Sequence, residues 1–413
     1  MVGDAPMHLF SKLADRTESS IDETSKYTGK QTESRTPRPI PPWLKVTASQ
    51  VLYRLNRPES VFFDNRVPEK ASNLSEKSNL TCQVNLGEAF LLRYFVEELA
   101  KWFDICDPER HFGVVVPQRA RFCPPLFNAV LSASARHFTT LPDYRQKEKT
   151  VQLGLQEDLI ISEAAVLDYH NQCIAHLRLL ANEPDAIMDE NLLAAAVVLR
   201  FYEELDAPFI DLPTDPATRG LQVFIEAQAD LALASTGIRN AAFWVGFSQE
   251  FHMAFSQQRS FRLSLDMCDT YLSLDPAPDH ILVNRLLIIA AHVKQYCYDD
   301  HDQPTYSRYE ELAALYQRWL KVRPLSFFPV YSDAPDREKD ELFPRIWFLN
   351  DFHILAEKSV GLVNIFLTAY DPTIARVGPG KRSAMESIDT KLKTTVLISA
   401  ALLYLIDKNQ PQF

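Results

Sequence analysis

Glycine is scarce, with 11 residues in 413. Phosphate-cradling loops and tightly turned β architectures both need glycine's access to positive φ, so both are poorly supported. No GxxxxGK(S/T) occurs, and Gly378-Pro379-Gly380-Lys381 lacks that spacing and reads as a turn. No Asn-Gly or Asp-Gly pair marks a hairpin. No CxxC occurs either: Cys82, Cys106, Cys123, Cys173, Cys268 and Cys297 fall 24, 17, 50, 95 and 29 residues apart. Structural zinc takes closely spaced ligand pairs, so these cysteines read as buried, reduced thiols of a cytosolic or nuclear protein. No uninterrupted apolar run approaches the roughly 18–20 residues of a membrane span. Residues 1–10 lack the basic-then-apolar order of a secretory signal. Positive charge is in deficit, 43 Lys+Arg against 54 Asp+Glu, a formal −11. Broad coating of nucleic acid needs clustered Lys and Arg and is therefore disfavoured.

What is present is helical. Hydrophobic residues make up 46% of the chain and charged residues 23%, the ordinary mix of a globular protein. The first eighty residues differ. Residues 1–50 hold twelve Ser and Thr, and Pro37, Pro39, Pro41 and Pro42 lie close together. Apolar periodicity there is weak, so 1–80 reads as a disordered Ser/Thr/Pro-containing arm or linker. It carries 12 basic and 10 acidic residues, which leaves −13 on the remaining chain.

From Asn85 onward apolar residues recur at helical spacing. Leu86, Phe90, Leu91, Tyr94, Phe95, Leu99, Trp102 and Phe103 form a wide stripe, which Asn85 and Glu88 can close with a capping box. Pro124 opens a helix to about His137, Ser162 caps one to about Leu180, and Asp189 caps one to about Leu205. Further helices are expected over about 217–235, 238–257, 281–298, 305–321, 343–370 and 383–406. Connections are short except for 140–160, 258–280 and 324–342. The expected fold is all-α: a single large multi-helix domain over 81–413, with antiparallel packed helices behind a disordered N-terminal arm.

Catalytic constellations fail on spacing. Asp299-Asp300-His301-Asp302 suggests the magnesium-binding carboxylates of helical terpenoid synthases. Their Asp-Asp-x-x-Asp needs a fifth-position aspartate where Gln303 stands. Their second motif needs Ser and Glu where Asn350-Asp351 is followed by Ile354 and Lys358. There is no HExxH and no Gly-x-Ser-x-Gly. His137, His252, His292 and His353 lie in amphipathic stretches and read as ordinary helix histidines. Glu203-Glu204 reads as a helix end paired with Arg200. Phe243, Trp244, Phe247, Phe251 and Phe255 form an aromatic stripe. Core packing is its plain reading, and a ligand-binding or regulatory helix face is the functional one.

Taken in order, many of these segments resemble one family. They include Leu91-Leu92-Arg93-Tyr94-Phe95, Trp102-Phe103-Asp104-Ile105-Cys106-Asp107-Pro108 and Ser132-Ala133-Ser134-Ala135-Arg136-His137. Leu199-Arg200-Phe201-Tyr202-Glu203-Glu204, Ala242-Phe243-Trp244, Gln249-Glu250-Phe251 and Phe343-Pro344-Arg345-Ile346-Trp347-Phe348 follow. The series, over roughly 85–400, resembles the regulatory domain of fungal zinc-binuclear-cluster transcription factors, the fungal-specific transcription factor domain. The resemblance implies a nuclear transcription regulator, with the cytoplasm as the alternative compartment. The family usually places a six-cysteine zinc module, which reads DNA, ahead of this domain. Here that module is missing, since Cys82 is the only cysteine before residue 100.

Two further departures stand out. Ser248 occupies a position where the family often has arginine, and the chain ends soon after Leu397, so a C-terminal truncation is expected. The implied role is regulation through protein partners, a full-length zinc-cluster factor or the transcription machinery, with DNA reached only indirectly. No membrane, metal or cofactor is expected, and no catalytic or DNA-binding residue is nominated. A small-molecule effector at the aromatic stripe is the alternative function, and an all-α enzyme is a weaker one.

Overall fold

The computed structural model describes residues 84–395, apart from 156–159, 181–183, 207–215, 299–305, 334–343, 375–381, 384 and 394. The expected arm, Cys82, the Asp299–Asp302 cluster and the chain end from Leu397 lie outside the described residues. Within them, helix dominates and the only strands are one short pair.

Asn85 opens α1 (Leu86–Tyr94) with the expected capping box. Its Oδ1 accepts from the Glu88 N–H at 2.9 Å, and the Glu88 carboxylate accepts from the Asn85 N–H at 2.9 Å. The stripe then continues through a π-helical turn, Phe95–Leu99, into α2 (Ala100–Phe103). The π turn adds a residue, so the buried face jumps by one position and keeps Tyr94, Phe95, Leu99 and Phe103 together in the core.

Helix α3 (His111–Ala120) was not legible in the sequence, because Gly113 and Pro117 interrupt its pattern. Its N-terminus is built by the segment before it. Asp104 accepts from the Phe112 and Gly113 N–H groups, both at 2.8 Å. Asp107 accepts from the His111 N–H at 2.7 Å and bonds His111 Nδ1 at 2.8 Å. Two carboxylates thus cap one positive helix end. A Cβ at Gly113 would lie 3.2 Å from the Asp104 carboxylate, so glycine suits this close approach. Burial pushes the Asp104 pKa up to about 6, and the two backbone donors hold it back.

Helix α4 (Pro124–Thr140) begins on its proline and is buried almost all round. Its Ala- and Ser-rich middle lets α6 (Glu163–Leu180) and α8 (Glu190–Asp206) approach closely. Between α4 and α6 runs α5 (Asp143–Gln152), where a connection was expected. Its sequence, DYRQKEKTVQ, is too polar to show an apolar period. It is pinned instead by buried Lys149, whose Nζ donates to Glu98 at 2.8 Å. After α7 (Pro184–Ile187) and α8 come α9 (Pro216–Ala234) and α10 (Ile238–Ser256). Then follow a 3₁₀ segment, Asp266–Tyr271, α11 (Asp279–Tyr298) and α12 (Tyr306–Val322).

The helix expected over 343–370 starts late. Tyr331–Asp333 (β1) and Arg345–Trp347 (β2) pair antiparallel, Tyr331 facing Trp347, and α13 (Asp351–Ala369) follows. The Trp347 carbonyl accepts from the Val330 N–H at 2.8 Å, so the pairing holds 345–347 extended and the helix begins only at Asp351. By length and composition α13 could cross a bilayer, but most of its apolar window is buried against the rest of the domain. Residues 385–393 are helical, as expected for that stretch.

Two groups of helices meet at α10. One is α4, α6 and α8; the other is α11, α12 and α13. Helix α10 packs on α8 and α9 from the first side and on α11 from the second. No disulfide joins the described cysteines, and Cys173 and Cys268 are fully buried.

Candidate functional site

Helix α10 starts after Gly237, whose φ of 99° a side chain would strain. Two stripes run along it, each built from residues four apart. Phe243, Phe247 and Phe251 face the core, and Phe247 packs on Phe261 at 4.9 Å and on Trp244 at 5.5 Å between ring centres. Gly246 lets α9 in, since a Cβ there would lie 2.5 Å from Ile225 Cδ1 and 3.2 Å from Val197 Cγ1. The far end is clamped by Glu250. Its carboxylate accepts from both terminal nitrogens of Arg259 and from the Arg262 N–H at 3.0 Å.

The second stripe, Asn240, Trp244, Ser248 and His252, lines a cavity of about 600 Å³. That volume falls in the range of small-molecule sites. Trp102 and Phe103 of the α1–α2 segment form one wall, and Phe201 and Glu204 of α8 another. Tyr271 closes a third side against the Trp244 ring, 5.2 Å between centres. Asp351, Leu355 and Lys358 complete the lining from one face of α13, at i, i+4 and i+7.

Three of the ionisable groups that line it are strongly perturbed. Lys358 Nζ sits 3.5 Å from His252 Nε2. Burial lowers the Lys358 pKa to about 8. Burial and the neighbouring ammonium lower His252 to about 3, against a hydrogen bond to the Ser248 carbonyl that raises it. The imidazole is therefore neutral, with Nε2 turned to Lys358 as an acceptor. Burial raises Glu204 to about 7, although Arg200 Nε donates to it at 3.3 Å. Trp244 and Gln249 are 5% and 9% exposed. Their Nε1 and Oε1 atoms have no hydrogen-bond partner among the described residues. Gln249 Nε2 is used, donating to the Val197 carbonyl at 2.9 Å.

Of the five aromatic residues singled out in the sequence, the structure brings Trp244 to the cavity and sets Phe243, Phe247 and Phe251 in the core. Phe255 is half-buried against Phe366, 5.9 Å between ring centres. Of the polar cavity residues, the sequence shows Glu204 as a helix end, His252 as a helix histidine, Ser248 as a departure from the family pattern and Lys358 as a break in a metal motif. One signal could have found them: Asn240, Ser248 and His252 are polar positions four residues apart, in line with Trp244, on a largely apolar helix.

The architecture is that of a mainly helical domain with a cavity, and among the described residues no group of three or more His, Cys, Asp or Glu side chains could hold a metal ion. Residues 90–210 match the family model of the fungal specific transcription factor domain. Over that stretch, from within α1 through α8, the chain is similar to this family, whose description is that of a transcription factor domain. The match includes the cavity walls from the α1–α2 segment and α8, while α10 and α13 lie beyond it. No curated protein and no solved structure matches the chain.

Proposed function

We propose that this chain is a nuclear transcription regulator that acts through protein partners, a zinc-cluster factor or the transcription machinery, and meets DNA through them. The family match over 90–210 carries this reading. The charge supports the indirect route: −11 overall leaves little to displace the counterions of DNA. The test is crosslinking and sequencing of chromatin bound by the tagged chain in its own host. Discrete promoter peaks that vanish when one partner is deleted are the expected result. Background-level occupancy of a soluble, expressed chain would sink the reading. So would tight, sequence-specific binding of the purified chain to naked DNA.

The cavity favours a second, compatible reading, in which the domain responds to a small molecule. Helix α10 touches both helix groups and also forms the cavity wall. A ligand that binds one arrangement of these groups better than another shifts their balance by its differential affinity. Ligand-dependent change in promoter occupancy, with chain abundance constant, is the corresponding observation.

A further inference from the structure

We infer that the cavity takes a singly charged organic acid, its carboxylate held by Lys358 and its apolar body laid against Trp244 and Leu355. This rests on reading the cavity as a ligand site. Lys358 supplies the charge argument. Its ammonium lines the cavity, its one described partner is a neutral imidazole nitrogen at 3.5 Å, and no carboxylate of the described residues lies within ion-pair distance. Removing a cation from water without a counter-ion is costly, and an incoming carboxylate supplies the missing partner in a setting where the pair is worth more than in water.

His252 fixes where that partner goes. Its ring is tied to the Ser248 carbonyl and occupies one direction at Nζ, leaving the remaining N–H groups to a ligand. The body follows from the walls, whose surface is mostly apolar. The single charge follows from the surrounding acids. Glu109 and Asp351 line the same cavity and are exposed, against Lys101 as the one further lining lysine, so a second anionic group would meet more acidic than basic neighbours. Asp107 is already spent on His111, and Glu204 on Arg200.

The experiment is calorimetric titration of the full chain with two acids, 1-naphthaleneacetate and decanoate, each against its neutral amide. The two bodies distinguish a flat aromatic occupant from a flexible chain. At least one acid is expected to bind roughly ten- to hundredfold tighter than its amide, the worth of a charge-assisted hydrogen bond. Lys358→Met should erase that preference while leaving amide binding in place, and Lys358→Arg should keep most of it. Thermal melts of both variants show that the fold is intact. Equal binding of acid and amide, or a preference that survives Lys358→Met, overturns the carboxylate assignment and leaves a neutral-ligand cavity. No binding of any of the four compounds overturns the ligand site as well. Neither result touches the chromatin reading, which occupancy measurements test separately.

Discussion

One helix carries two surfaces that look alike in sequence and behave differently in the fold. The Phe243, Phe247 and Phe251 face of α10 is solid core, while the Trp244, Ser248 and His252 face, one residue further round, borders empty space. Aromatic content does not separate them, since Trp244 belongs to the cavity face. Polar residues at the same period do. A core helix tolerates a serine and a histidine on one face when that face has a cavity to border.

The sharpest way to test this contrast is to truncate the core face. Phe247 is 0% exposed and touches three other aromatic rings. Phe247→Ala should cost about 3–5 kcal/mol in chemical denaturation, the usual cost of removing a buried phenylalanine. A loss below about 1 kcal/mol would mean that this face is not packed as described.

The two cavity-side and core-side lysines extend the comparison. Lys294 of α11 is 0% exposed, with Nζ 3.5 Å from the centre of the Tyr298 ring and 4.7 Å from that of Phe366. Unlike Lys358 it does not line the cavity beside α10, and among the described residues its Nζ has no hydrogen-bond partner and rests on aromatic faces. Burial lowers its pKa from 10.5 to about 7, with Arg259 adding to the fall and Cys297 opposing it. The unfolded chain therefore holds more protons between those values, and this group makes stability climb as pH rises from about 7 towards 10.5. Below pH 7 the amine is charged in both states and the burial cost is complete. Lys294→Met, similar in volume, should stabilise the domain by about 2–4 kcal/mol at pH 6. The advantage should shrink steadily as the pH is raised to 10. A pH-independent difference, or destabilisation at pH 6, would show that the aromatic cage more than offsets the burial cost.

Gly246 probes the seam between the faces. The methyl of Gly246→Ala would overlap Ile225 Cδ1 and press on Ile225 Cγ1 and Val197 Cγ1. Alanine gains about 1 kcal/mol of helix propensity. Overpacking costs about 1–3 kcal/mol, so a net loss of about 1–2 kcal/mol is expected. A gain in melting temperature would show that α9 has room to retreat.

The fold was largely legible because its signals are local. Asn85, Pro124, Ser162 and Asp189 all mark helix starts as their chemistry dictates, and long apolar periods set helix type. The failures have physical causes. Polar α5 is held by one long-range ion pair to Glu98, which no local pattern displays. The β1–β2 pair depends on two segments separated in sequence, so Arg345-Ile346-Trp347 reads as helix until its partner is known. The cavity was legible only through Trp244. Its other walls come from α8 and α13, and Lys358 entered the sequence reading only as a residue that spoils a metal motif. A cavity is a property of three-dimensional packing between segments, and periodicity along one segment reports just which residues turn inward.

The smallest expected effect is the most diagnostic of the two-face description. Ser248→Ala removes a hydroxyl that borders the cavity and keeps the backbone carbonyl that holds the His252 ring. If the face borders space, no packing is lost, and alanine's better helix propensity should leave stability within about 0.5 kcal/mol of the parent, on the favourable side. In a packed core, the same change would leave a small void and any partner of the hydroxyl unsatisfied, costing about 1–3 kcal/mol. The two outcomes are resolvable by denaturant titration, provided that the slope with denaturant is unchanged. A cost above about 1 kcal/mol would place Ser248 in tight packing and close the space into which the carboxylate site is drawn.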